Sequence, residues 1–126
     1  MLRWNITRKT IVITLALFIC AINVLEAKQI IGRASYYSYE FNKRKTASGQ
    51  IFNPEALTCA HRTFPFGTKL KVVNLYNGKG VTVVVNDRGP FTGGRIIDLS
   101  RLAAKRIDLL KSGTAKVSIE VIKTES

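Results

Sequence analysis

GVTVVVNDRGPFTGGRIIDLS, residues 80–100, runs from an unbroken β-branched stretch through a turn into a second apolar stretch. KGVTVVV (79–85) reads as a buried strand, and RIIDLS (95–100) as a further strand that ends at a helix start. Between them Gly89, Pro90, Gly93 and Gly94 punctuate the chain. Asn86 and Asp87 therefore fall where a rigid strand meets a turn, a common position for chemistry. Two readings of the turn stand side by side. Either Asp87 only caps it by accepting backbone N–H bonds, or the turn exists to hold an acid in position.

Working outward, TKLKVVNL (68–75) alternates Leu70 and Val72 with Lys69 and Lys71, and NGKG (77–80) joins it to the strand at 80–86. An Asn-Gly pair between two β-branched runs predicts a hairpin. IIGRASYYS (30–38) is an opening strand and LTCAH (57–61) a short one, separated by a polar, basic stretch at 39–56 that reads as a surface loop. RTFPFGT (62–68) marks a turn. Ser100 is placed to cap RLAAKRIDLL (101–110), with Leu102, Ala103, Ile107 and Leu110 at helical spacing. Gly113 stops that helix, and AKVSIEVIK (115–123) alternates as a final strand. About six short strands with one short helix predict a small, mainly β barrel.

The N-terminal part reads differently. Arg3, Arg8 and Lys9 precede the apolar run IVITLALFICAINV (11–24), the pattern of a secretory signal peptide with a cleavage point after Ala27. A membrane-spanning helix needs about 20 apolar residues, so membrane contact is expected only through this segment. Cys20 raises lipidation, and the bulk of Ile19 before it argues against. The expected division is a signal peptide at 1–27 and one domain at 28–126, in a periplasmic or secreted setting.

The chain carries 20 Lys and Arg against 8 Asp and Glu, for a net charge of +12. Setting aside Arg3, Arg8, Lys9 and Glu26 leaves 17 against 7. Such a balance attracts polyanions. A secreted address turns that expectation away from nucleic acid and toward wall polymers, acidic stem peptides or anionic surfaces. Cys59 is the one thiol after residue 27, so the domain holds no internal disulfide and its thiol reads as a small buried hydrophobe. His61 is the one histidine, and without clustered Cys, Asp or Glu it suggests neither a metal site nor a cofactor.

GRASYYS, KTASGQIFNPEALTCAHRTFPFGTKLKVVNLYNGKGVTVVVNDRGPF and GRIIDLSRLAAKRI together resemble the RlpA-like (rare lipoprotein A) family over about residues 31–122. The resemblance implies a six-stranded double-psi β-barrel, shared with expansins and barwin-like proteins. It also implies lytic transglycosylase activity on peptidoglycan strands that lack stem peptides, and division or envelope proteins as partners. Carried over by position, the catalytic aspartate falls on Asp87 and the histidine on His61. The family's glutamate and aspartate after the TASG turn are here Gln50 and Asn53, and its glycine after the ASYY segment is Ser38. Neither amide gives or takes a proton in the working pH range.

The remaining site candidates follow from that chemistry. An acid at Asp87 needs a raised pKa to be protonated at bond cleavage, and Arg88 or Arg95 pointing at it would oppose this. Arg88 and Gln50 are expected to contact glycan. His61 is expected to hydrogen-bond Asp87 or a sugar hydroxyl. Of Tyr36 and Tyr37, one faces in and one out; the outward ring either stacks on sugar or packs in the core. Asp98 is expected among the glycan-binding residues, as a possible second acid in the groove or, preferred, as a structural residue beside Ser100 that suits both capping and the local dipole at the helix N-terminus. The same groove without chemistry would be a wall-glycan binding module, for which Gln50 argues. A third reading is an adaptor that uses only its basic surface.

Overall fold

The structure, a computed structural model, describes residues 28–123. The segment read as a signal peptide, 1–27, lies outside the described residues. Six strands form a closed barrel: β1 (Gln29–Tyr36), β2 (Thr58–Ala60), β3 (Lys69–Asn74), β4 (Gly80–Asp87), β5 (Arg95–Leu99) and β6 (Ala115–Val121). Around the barrel their order is β1-β5-β2-β4-β3-β6. The β1–β5 and β2–β4 pairs are parallel and the other four antiparallel. Closure leaves no free sheet edge, which in a basic, strand-rich chain removes the usual route to edge pairing.

Alternation in the sequence sets the inner face. Leu70 and Val72 of β3, Val81, Val83 and Val85 of β4, Ile97 and Leu99 of β5, and Val117 and Ile119 of β6 fill the core, while Lys69, Lys71 and Thr82 point out. Branched side chains of this kind suit a pleated, half-buried surface. Cys59 sits among them, fully buried, and burial pushes its thiol up to about 12. The β3–β4 hairpin forms as expected, with a connection at 75–79 rather than a two-residue turn. Asn74 closes its base: its amide donates to the Ile107 carbonyl and its Oδ1 accepts from the Tyr76 N–H.

Two elements differ from the sequence reading. The helix, α1, covers Arg101–Arg106 and not 101–110. Ser100 caps it, accepting from Ala103 N–H at 3.3 Å. It stops early because Asp108 adopts a left-handed conformation (φ 55°), with Asp108 N–H on the Lys105 carbonyl and Leu109 N–H on the Ala104 carbonyl. Those two bonds form a Schellman cap without its usual glycine. Ile107 and Leu109 still reach the core beyond the cap.

The stretch at 39–56 is the second difference. After a 3-10 turn at Tyr39–Phe41 it folds into a small hairpin, with Phe52 N–H on the Arg44 carbonyl, Thr46 N–H on the Gln50 carbonyl and a bridge between Lys45 and Ile51. Phe52 is 4 % exposed and its ring lies 4.5 Å from that of Tyr37. Burying Phe52 anchors what polarity alone reads as a loose loop.

Candidate active site

Strict alternation along β4 would turn Asp87 inward with Val81, Val83 and Val85. A β-bulge prevents it. Cys59 pairs with Val85, but the next residue, Ala60, pairs with Asp87, so Asn86 is the extra residue. The bulge reverses the facing of everything after it, and bulges recur beside active sites for that reason. Asp87 therefore shares a row with Ala60, which is paired in turn with Asp98 on β5, itself paired with Ser35 on β1. Two strand spacings put the Cα atoms of Asp87 and Asp98 about 10 Å apart.

The Asp87 carboxylate is half-buried and accepts three hydrogen bonds. Oδ1 takes the backbone N–H of Ala47 at 2.8 Å and that of Arg88 at 2.9 Å. Oδ2 takes the Tyr37 hydroxyl at 2.5 Å. A carboxylate has about four lone-pair sites. Both on Oδ1 are filled and one on Oδ2 is filled, so the remaining site belongs to Oδ2. The Ala47 donor comes from the 43–52 hairpin, whose tip is pinned at the bulge because Ser48 N–H donates to the Asn86 carbonyl.

Arg88 does not clamp the acid. Its Nη1 donates to the carbonyls of His61 and Phe64, and its guanidinium lies 4.0 Å over the Phe66 ring. Arg95 also points elsewhere, pairing with Asp98 at 3.2 Å and donating to the Ser35 hydroxyl. Asp98 accepts from both groups and caps nothing; the expectation that it serves the helix N-terminus is corrected, since it lies in β5 with its side chain along the row and Ser100 alone caps.

His61 follows β2 beside this row. Its Nδ1 accepts from the N–H groups of Thr63 and Phe64, and its ring stacks on Phe64 at 4.1 Å. An accepting Nδ1 leaves the proton on Nε2. Burial, then the Arg62 and Arg88 guanidiniums, hold the imidazole below its ordinary range. The side chain does not bond the Asp87 carboxylate; only the His61 backbone N–H reaches that residue, at its carbonyl.

Tyr37 is the outer of the two tyrosines, since Tyr36 packs against the core and donates to the Leu110 carbonyl. The Tyr37 ring is held between Phe41, at 5.5 Å, and Phe52 and is aimed at the acid. Burial, reinforced by the bond to Asp87, drives its phenol far above the usual range. Gln50 is exposed, with Oε1 accepting from Asn86 Nδ2 at 3.2 Å. Arg62, which the sequence did not single out, braces the 88–95 turn by donating to the Pro90 and Arg95 carbonyls. No signal in the sequence ties Arg62 to that turn. Asn86 had one: an amide that breaks a valine run just before an acid.

A family model described as lytic transglycolase matches residues 29–119. The chain belongs to that family. Among its relatives, the probable endolytic peptidoglycan transglycosylase RlpA of Synechocystis sp. is 49% identical over 112 residues, covering 85% of this chain and 35% of that protein. The endolytic peptidoglycan transglycosylase RlpA of Campylobacter jejuni is 56% identical over 91 residues, covering 72% of this chain and 33% of that one. The chain thus spans about a third of the length of these relatives. Among solved structures, the Streptomyces papain inhibitor superposes with a TM-score of 0.61 at 23% identity, covering 76% of this chain and 96% of that one. An expansin of Clavibacter michiganensis gives 0.62 at 19% identity, covering 79% and 52%. These likenesses establish the fold, the double-psi β-barrel expected from the resemblance.

Proposed function

We propose that the chain is a lytic transglycosylase that cuts peptidoglycan glycan strands in the cell envelope, with Asp87 as acid and then base. The observation that carries this is the half-buried Asp87 carboxylate, turned out of the core by the bulge and, among the described residues, held by three donors, paired with no guanidinium and bonded only once at Oδ2. The names of the relatives support the substrate class.

The reaction needs one carboxyl. The Oδ2 proton passes to the glycosidic oxygen as the bond to the anomeric carbon breaks, leaving the electron pair on that oxygen. The muramyl 6-hydroxyl then bonds the anomeric carbon, and its proton returns to Oδ2. The product is a 1,6-anhydro end. A hydrolase would instead draw on a second carboxylate to act on water. Gln50, with Oε1 tied to Asn86, keeps its amide hydrogens for a sugar oxygen. His61 stacks on Phe64, and Arg88 ties the turn to that segment through the His61 and Phe64 carbonyls. Asp98 lies along the strand in the same row. The preference for strands without stem peptides and any division or envelope partner rest on the family resemblance, and the secreted or periplasmic address and the extent of the domain at 28–126 on the sequence pattern.

The test is incubation of peptidoglycan, intact and stripped of stem peptides, with the protein and with Asp87→Asn. Anhydro-muramyl products from the wild type alone are expected. Retained binding to sacculi with no such product at any pH would favour the glycan-binding module that Gln50 suggests.

A further inference from the structure

We infer that Tyr37 is a positioning residue for the acid, a fixed hydroxyl donor that steers Asp87 Oδ2 and holds the carboxylate left behind when the proton leaves. The inference rests on the proposed acid role of Asp87. Tyr37 follows β1 directly, its backbone N–H is tied to the Leu99 carbonyl at 3.0 Å, and its hydroxyl meets Oδ2 while the Arg88 N–H meets Oδ1. Its ring packs against Phe52 and Phe41. With both sites of Oδ1 filled by backbone donors, Tyr37 decides which lone pair of Oδ2 remains for the proton.

The consequence for the reaction is directional. When Oδ2 carries the proton, the phenol occupies the other site and orients the O–H toward the substrate. When that proton moves to the glycosidic oxygen, negative charge appears on a carboxylate that already has three donors in place. Preorganised donors of this kind act where charge develops and need no rearrangement. The phenol cannot compete for the proton, since burial and the neighbouring carboxylates keep it in its O–H form. A residue that only stacked on sugar would keep a free hydroxyl; the Tyr37 hydroxyl is committed to Asp87 Oδ2.

Steady-state kinetics on stem-peptide-free glycan strands test this with full-length protein, Tyr37→Phe and Asp87→Asn. Tyr37→Phe should lower kcat ~100-fold, within the range for loss of one preorganised donor, with KM changed less than about twofold and the melting temperature kept. If Asp87→Asn is inactive while Tyr37→Phe matches the wild type, or raises KM alone, the inference is overturned and the acid assignment survives. If Asp87→Asn stays active, the acid assignment itself falls. Should Tyr37→Phe fold poorly, 3-fluorotyrosine introduced at position 37 keeps the ring and strengthens the donor; an unchanged kcat there would overturn the inference.

Discussion

The backbone N–H of Ala47 donates to Asp87 Oδ1 across 40 residues of sequence, joining the tip of the TASG hairpin to the DRGP turn. The two motifs that are far apart in the chain form one structure around one carboxylate. Ala47→Pro removes this donor, and a hydrogen bond to a charged group is worth about 1.5–3 kcal/mol. Activity should fall by roughly 10- to 100-fold, while Ala47→Gly, which keeps the N–H, should retain most of it. Equal activity of the two variants would show that the hairpin matters only for its shape.

Gln50 gives a prediction with the opposite sign. The Asn86 amide donates to Gln50 Oε1 and would donate equally to a carboxylate there. Gln50→Glu therefore keeps its anchor and places there the carboxyl that the family resemblance implies, at the cost of the amide hydrogens assigned to a sugar oxygen; product formation should rise several-fold. No rise would mean that this position does not limit the chemistry.

His61 couples stability to pH. Its folded-state pKa lies below the unfolded value, mainly through burial. The unfolded chain then binds more protons below about pH 6.5, so stability rises with pH in that window. The His61 contribution is complete above about pH 6.5 and is lost as pH falls toward the lower folded value. Denaturant midpoints measured from pH 7.5 down to 5 should decline, and His61→Asn, whose Oδ1 can accept from Thr63 and Phe64, should flatten the decline. An identical slope in both proteins would assign it elsewhere.

Cys59 supplies a readout of the barrel itself. Its thiol is fully buried among Val85, Leu99 and their neighbours, with its ionisation pushed up to about 12. At pH 8 the native protein should resist iodoacetamide at Cys59, read from its tryptic peptide, and should label fully in denaturant. Rapid native labelling would show that the core opens.

The sequence carried most of the barrel and only part of the site. Branched residues at Leu70, Val72, Val83, Val117 and Ile119 mark strands because their period of two matches the pleat. The bulge at Asn86 is not periodic; it exists only in the pairing of β4 with β2, and reading on from Val85 by alternation places Asp87 on the wrong face. The helix end at Asp108 is hidden for a related reason, since a left-handed residue other than glycine leaves no mark in composition. Tyr37 was legible as a site residue, but its direction was not, because the packing of Phe41 and Phe52 that aims it belongs to a 3-10 turn and a hairpin formed by a polar stretch.

The most direct test is digestion of stem-peptide-free glycan strands in water enriched in oxygen-18, with products resolved by mass. The account predicts 1,6-anhydro ends with no label from the wild type and none of these ends from Asp87→Asn. Labelled reducing ends, or anhydro product that survives the Asp87 substitution, would contradict it.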